Sequence, residues 1–301
     1  MIHPTAIVDK GARLAADVAI GAYCVVGADV VIGAGSRLLS HVVVEGPTRI
    51  GARVRIHPFA VIGGTPQDRT YGGEPTELEI GDDTVVREHV TLHRGTRKDR
   101  GTTRVGARCL LMVGAHVAHD VTVGDECIVA NACQLAGHVV LEDFVVLGGA
   151  AALAPFVRVG STAFVAAGAC VERDVPPFHV AQGDRARVRA LNVVGLRRRG
   201  VPALSIAALE RAHRALYRSG APLSRSIASI DGSDPYVARL LRFLRERTTI
   251  AGASRREPDR DEVEVVRPCD AAREPHRDEV EVVGPCDAAR EPLGNDGSPE
   301  K

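Results

Sequence analysis

Aliphatic residues recur at every sixth position from the start of the chain, as Ile2, Val8, Leu14, Ile20, Val26, Ile32, Leu38, Val44, Ile50, Ile56 and Ile62. The register resumes at Ile80, Val86 and Leu92. It resumes again at Val105 and continues through Leu111, Val117, Val123, Val129, Leu135, Leu141, Leu147, Leu153, Val159 and Val165 to Val171. Glycine often follows the aliphatic residue, and a small or β-branched residue usually sits four positions after it. A helix cannot bury such a period on one face, and a single strand alternates with period two. Three short strands per turn of a solenoid do bury it. The pattern predicts a mainly β fold, a parallel β-helix of about nine triangular coils, about 18 residues each and roughly 40 Å long at the usual strand spacing.

Two stretches break the period, "GTPQDRTYGGEPTEL" from Gly64 and "RGTRKDRGTT" from Arg94. Loops thrown out of a solenoid lie on its surface and are common places for function. After Val171 the Pro-Pro pair of "RDVPPFHVAQGDRA" cannot continue a regular element. "SIAALERAHRALYRSG" shows helical spacing through Ile206, Leu209, His213 and Leu216, with Gly220 as the expected C-cap. "DPYVARLLRFLRERT" reads as a last amphipathic helix. From about Gly252 the segments "REPDRDEVEVVRPCDAA" and "REPHRDEVEVVGPCDAA" form an acidic tandem copy, a composition that predicts disorder. The expected organisation is a β-helix over 1–186, a small helical domain over 187–251 and a disordered tail over 252–301.

Composition agrees with a narrow core. The chain has no Trp, 6 Phe, 4 Tyr and 31 Gly, so the interior must be built from small aliphatic groups. Acidic and basic residues balance at 38 each, but from Arg255 onward 8 Lys/Arg face 14 Asp/Glu, which leaves the part before it net basic. No charged segment precedes an apolar run at the N-terminus, and no stretch approaches the roughly 18 apolar residues that span a bilayer. A cytoplasmic protein without stable membrane insertion is expected. The seven cysteines show no CxxC spacing, and Cys24, Cys109, Cys127 and Cys133 fall where the repeat wants a small apolar residue, as reduced core fillers.

The stretch "GAHVAHDVTVG", residues 114–124, concentrates His116, His119 and Asp120. A His-x-x-His pair suits zinc about as well as it suits proton transfer. Phase narrows the choice, because His116, His119 and His138 occupy neither of the two inward-facing positions of the hexad. One coil beyond His119 lies Gly137, with His138 beside it, so the strand spacing makes a surface cluster of the three. A base beside a glycine N–H supplies what acyl transfer needs, a proton acceptor and a donor to the developing oxyanion. Asp120 could orient His119, although neighbours in a strand point apart, so the local turn must allow that contact. From Arg185 to Arg199 six arginines occur with no acid, a patch suited to a diphosphate or an acidic protein.

Taken in order, "IHPTAIV", "QDRTYGGEPTELEIGD", "REHVTLHRGT", "LLMVGAHVAHDVTVGDECIVAN", "LAGHVVLEDFVVLGG", "DVPPFHVAQGDRA" and "NVVGLRRRG" make residues 2–250 resemble one family. It is the bacterial UDP-N-acetylglucosamine O-acyltransferases, hexapeptide-repeat enzymes that begin lipid A synthesis. The resemblance implies a left-handed coil, against the usual right-handed crossover rule, and a homotrimer with active sites between neighbouring prisms. It implies transfer of a (3R)-hydroxyacyl group from acyl carrier protein to the glucosamine 3-hydroxyl, with no metal, no cofactor and no nucleic acid. By the same resemblance His119 is the general base, Asp120 its orienting acid and Gly137 the oxyanion donor. Asp68 contacts the acceptor sugar or its product, His116 and His138 line the cleft, and Asn192, Arg198 and Arg199 face the uracil and diphosphate. Ala166 lies where side-chain size limits acyl-chain length.

Three positions depart from the family pattern: Thr70 replaces a Lys, Ala154, followed by Pro155, replaces the first residue of a His-Gln pair, and Val194 replaces a Glu. Arg69 is expected to supply the cation that Thr70 lacks. The Ala154 change predicts altered substrate handling with base and oxyanion donor intact, and a non-catalytic trimeric paralogue is the reading in which the site has decayed. A zinc-dependent carbonic anhydrase on the same prism, with His116, His119 and His138 as ligands, is a further alternative. The sister N-acyltransferase of the pathway carries an added N-terminal uridine-binding domain, for which hexads starting at Ile2 leave no room.

Overall fold

The structure is a computed structural model that describes residues 1–246; the expected tail lies outside the described residues. From Ile7 to Val171 the chain climbs a three-sided parallel β-helix. Its faces are sheets of nine, eight and ten strands, and every third strand in sequence joins the same sheet. Most strands are only two residues long, such as His116–Val117, Thr122–Val123 and Ile128–Val129. The first face runs from Ile7–Val8 to Cys170–Val171, the second from Arg13–Leu14 to Arg158–Val159, and the third starts at Ala19–Ile20.

The period works as the hydrophobic pattern requires. Val117 stacks on Leu135 and Leu135 on Leu153, each the aliphatic residue of its hexad, and all three are buried. The residue two before each also points inward, so Ala115, Cys133 and Ala151 are fully buried. Full burial of each Val, Leu or Ile contributes about 1.5–3 kcal/mol, and the repeat supplies two inward groups per hexad. Cys24, Cys109, Cys127 and Cys133 are free and buried at these positions.

Most corners turn through a left-handed residue three positions after the aliphatic one, as at Asp120 (φ 61°), His138 (φ 63°) and Phe156 (φ 70°). Such a residue costs about 1–2 kcal/mol when it is not glycine, so the packed coil must impose the conformation. Because a left-handed residue reverses the alternation of a strand, side chains at neighbouring corner positions can meet.

Above the prism, strands His179–Gln182 and Arg187–Leu191 form an antiparallel pair on the third face. Four helices follow among the described residues: α1 (Val193–Arg198), α2 (Ala203–Tyr217), α3 (Leu223–Ser229) and α4 (Pro235–Arg245). Phe178, Val188 and Leu191 join Leu209, Leu216, Leu240 and Leu244 in a second apolar core. The two helices expected from periodicity are α2 and α4, and α4 starts at an Asp234 side chain that accepts from the Tyr236 and Val237 N–H groups. The expected Gly220 cap is displaced: α2 ends at Tyr217 with Arg218 as its cap, and Gly220 takes φ 70° two residues later. The short α1 and α3 escaped the pattern because six or seven residues hold too few apolar positions to show a period. Among the described residues no helix is long and apolar enough to cross a membrane.

Candidate active site

All turns between the first and second faces line one edge of the prism. Both inserted loops leave the coil at this edge, one between Val61–Gly64 and Glu77–Ile80, the other between Thr91–His93 and Thr102–Val105. The turns that hold His119–Asp120, Gly137–His138 and Ala154–Phe156 follow on the next three coils. The edge therefore gathers the two loops with His119 and His138, while His116 lies on the adjoining first face.

His119 Nδ1 lies 2.8 Å from Asp120 Oδ2. The left-handed φ of Asp120 turns its side chain back toward His119, which answers the objection that strand neighbours point apart. Asp120 is 1% exposed, and its two oxygens accept from the Thr96 N–H at 2.7 Å and the Thr96 hydroxyl at 2.6 Å. Its own N–H donates to Thr103 Oγ1 at 2.7 Å. Burial alone would raise the Asp120 carboxyl, but hydrogen bonds from His119 and from the Thr96 side chain and backbone, with the charge of His138, bring it below the usual range. Asp120 is thus a carboxylate, and a carboxylate only accepts, so His119 Nδ1 carries a proton toward it, which in the neutral ring leaves the lone pair on Nε2.

Gly137 sits against this ring. A Cβ built on it would lie 2.7 Å from His119 Cε1 and 2.9 Å from Nε2, so only glycine lets the imidazole lie where it does. The Gly137 N–H donates to no acceptor among the described residues. Other turns leave the same N–H open; here it has a histidine ring beside it. His138 completes the cluster, edge-on to His119 with centroids 5.3 Å apart and stacked on Phe156 at 4.5 Å. Its Nε2 is 3.7 Å from Asp120 Oδ2, and its Nδ1 is 3.5 Å from Asp99 Oδ2.

The structure gathers some expected residues here and sends others elsewhere. Asp68, in the first loop, accepts from the Thr70 N–H and hydroxyl, both at 2.9 Å, and from Lys98 Nζ at 2.6 Å. The Lys98 hydrogen bond, then those of Thr70, hold its carboxyl well below the usual range. The cation expected from Arg69 comes instead from Lys98 of the second loop. His116 lies on the first face, bonded to Thr91 Oγ1 at 2.8 Å and edge-on to His93 at 5.2 Å; burial and then His93 lower its pKa. Among the described residues, the groups spaced to share a metal ion are His119, Asp120 and His138, not the three histidines of a zinc anhydrase. Both Asp120 oxygens are already committed to His119 and Thr96.

Asn192 and the arginines belong to the opposite end of the second face. Asn192 caps α1 by accepting from the Gly195 N–H at 3.0 Å and donates to Thr162 O at 2.9 Å. Arg199 pairs with Glu126 at 2.8 Å, its guanidinium 3.4 Å over the Phe144 ring, while Arg198 is exposed in the last turn of α1. Ala166 is half-buried in a turn from the third face to the first, where its N–H donates to Ala181 O. The chain therefore spreads the expected residues over three edges. Sequence reasoning missed Thr96, Lys98, Asp99 and Thr103, whose signal was the polar run of the second loop, and Phe156, which lies one eighteen-residue coil beyond His138.

A period-six prism with an acid-oriented imidazole against a bare glycine N–H defines a hexapeptide-repeat acyltransferase. The hexapeptide transferase family matches residues 29–64, and the UDP N-acetylglucosamine O-acyltransferase domain 2 family matches residues 174–253. LpxA from Acinetobacter baumannii is 41% identical over 80% of this chain and 95% of its own, with a TM-score of 0.77. The UDP-N-acetylglucosamine O-acyltransferase (LpxA) of Moraxella catarrhalis is 40% identical over 80% and 95%, also at 0.77. The Arabidopsis UDP-N-acetylglucosamine acyltransferase is 32% identical over 85% and 99%, with a TM-score of 0.75. The chain belongs to the UDP-N-acetylglucosamine O-acyltransferase family, and its β-helix is the left-handed one of that family.

Proposed function

We propose that this protein transfers a (3R)-hydroxyacyl group from acyl carrier protein to the 3-hydroxyl of UDP-N-acetylglucosamine, the first step of lipid A biosynthesis. The observation that carries the mechanism is the Asp120–His119 pair with Nε2 free beside the Gly137 N–H. His119 Nε2 takes the proton of the 3-hydroxyl as its oxygen attacks the thioester carbon. The carbonyl oxygen becomes an oxyanion that the Gly137 N–H stabilises. Asp120 holds the imidazolium that forms. The tetrahedral intermediate collapses with loss of the carrier thiolate, which takes the proton back from His119, leaving an ester on the sugar and a free carrier thiol. Asp68 holds the acceptor sugar, and His138 with His116 lines the cleft.

The working unit is a cytoplasmic homotrimer. Support comes from the scatter of Asn192, Arg198, Arg199 and Ala166 over edges other than that of His119. Three prisms packed side by side set the edge of one against another edge of the next, so the nucleotide and acyl-chain residues of a neighbour can complete each site. Purified protein with UDP-N-acetylglucosamine and a panel of (3R)-hydroxyacyl carrier proteins, read by mass spectrometry, should yield the O-acylated sugar nucleotide. Absence of that product with every donor overturns the reading, and light scattering that gives a monomer overturns the trimer.

A further inference from the structure

The second inserted loop is pinned at three points. Arg94 donates through Nη1 to the Gly46 carbonyl and Arg100 through Nη2 to Thr122 Oγ1. Between them Thr96 binds Asp120 through its N–H and hydroxyl, and the Asp99 and Gly101 N–H groups both return to Thr96 O, at 3.4 and 3.1 Å. Gly95 makes the bend possible, since a Cβ there would collide with the Thr102 nitrogen. The backbone that carries Lys98 is thereby held by the same carboxylate that orients His119. Lys98 reaches from this platform to Asp68, whose side chain is 11% exposed, and the adjacent Asp99 faces His138.

From this geometry we infer that Lys98 is a positioning residue for the acceptor: it fixes the Asp68 carboxylate of the first loop in register with His119. The inference rests on the reaction proposed above. Thr70 holds only Oδ1 of Asp68, so Oδ2 is set by Lys98 alone among the described residues. An ammonium donates three hydrogens, and the two not directed at Asp68 keep the pair's outer side cationic. Without Lys98, Asp68 turns about Oδ1 and its charge is no longer balanced where the sugar nucleotide must approach. This pair joins loops from separate coils, so its loss affects acceptor binding and leaves the His119–Asp120–Gly137 cluster in place.

The test is a double-mutant cycle with steady-state kinetics on the full-length protein. Lys98→Met should raise KM for UDP-N-acetylglucosamine by about tenfold with kcat within about threefold, the mark of a lost binding interaction. Lys98→Arg should recover most of the loss, and Lys98→Met should add less than about twofold in an Asp68→Asn background. Unchanged KM in Lys98→Met, a fall in kcat alone, or full additivity with Asp68→Asn overturns the inference while the reaction stands. Wild-type protein without turnover would overturn the reaction itself.

Discussion

Replacing Gly137 by Ala separates the position of the proposed base from its chemistry. The glycine does not use a left-handed φ, so an alanine backbone fits there without strain. The new methyl, however, would lie 2.7 Å from His119 Cε1 and 2.9 Å from Nε2. Carbon atoms pack at about 3.5–4.0 Å, so the ring must withdraw by roughly 1 Å. It is tethered to Asp120 at 2.8 Å and flanked by the His138 ring at 5.3 Å, so withdrawal stretches the orienting bond or swings Nε2 away from the hydroxyl. A misplacement of about 1 Å can lower turnover on the order of 10²-fold, while overpacking of one methyl costs about 1–3 kcal/mol of stability. Gly137→Ala should therefore be folded, keep its KM for the sugar nucleotide within a few fold and lose roughly 10²-fold in kcat. The Gly137 N–H survives the change, so the deficit reports on the ring. In a His119→Ala background the same methyl should matter less than about threefold. A single variant with kcat within threefold of wild type, or a full extra loss on top of His119→Ala, refutes the argument.

Other consequences can be measured independently. His119→Ala should lower kcat at least ~10²-fold with nucleotide binding, followed by calorimetry, preserved; near-normal turnover removes it as the base. Asp120→Asn keeps an acceptor for His119 but sets an NH2 against one of the Thr96 donors, so a kcat loss of about 10²-fold or more is expected, with no gain on adding zinc. His179 and His213 pack 5.3 Å apart, with Tyr217 against both, where strand His179–Gln182 meets α2. Burial lowers His179 to about 3; burial, then Arg218 and Arg214, lower His213 to about 4. Both are neutral when folded and protonate near 6.5 when unfolded, so the stability is fully present above about pH 6.5 and falls as pH drops toward 4, by at most ~1.4 kcal/mol per pH unit per histidine. Urea unfolding between pH 7.5 and 4.5 should show this decline, and His213→Phe should flatten it; an identical slope in the variant dismisses the assignment. Ala166→Gly should lengthen and Ala166→Met shorten the preferred acyl chain, and a donor profile unmoved by either places the end of the groove elsewhere.

The period of six determined the prism, because an inward aliphatic residue at every sixth position can be buried in no other regular way. It also placed Gly137 against His119: where coils run uninterrupted, every neighbour across strands is eighteen residues away, and His138 N–H indeed bonds to His119 O across adjacent coils. Position alone could not say how Asp120 points, since that depends on a left-handed corner imposed by the packed coil. The contacts of the inserted loops were less legible still. Ile62 pairs with Leu92 and Leu92 with Val117, so each insertion shifts the spacing by its own length and coil arithmetic stops there. Thr96 meets Asp120 across 24 residues, Lys98 meets Asp68 across 30 and Asp99 meets His138 across 39. Loop closure depends on hydrogen bonds formed only once the coils beneath are stacked, so the sequence determined the edge and the place of the proposed base, and the tertiary structure decided which side chains hold them in place.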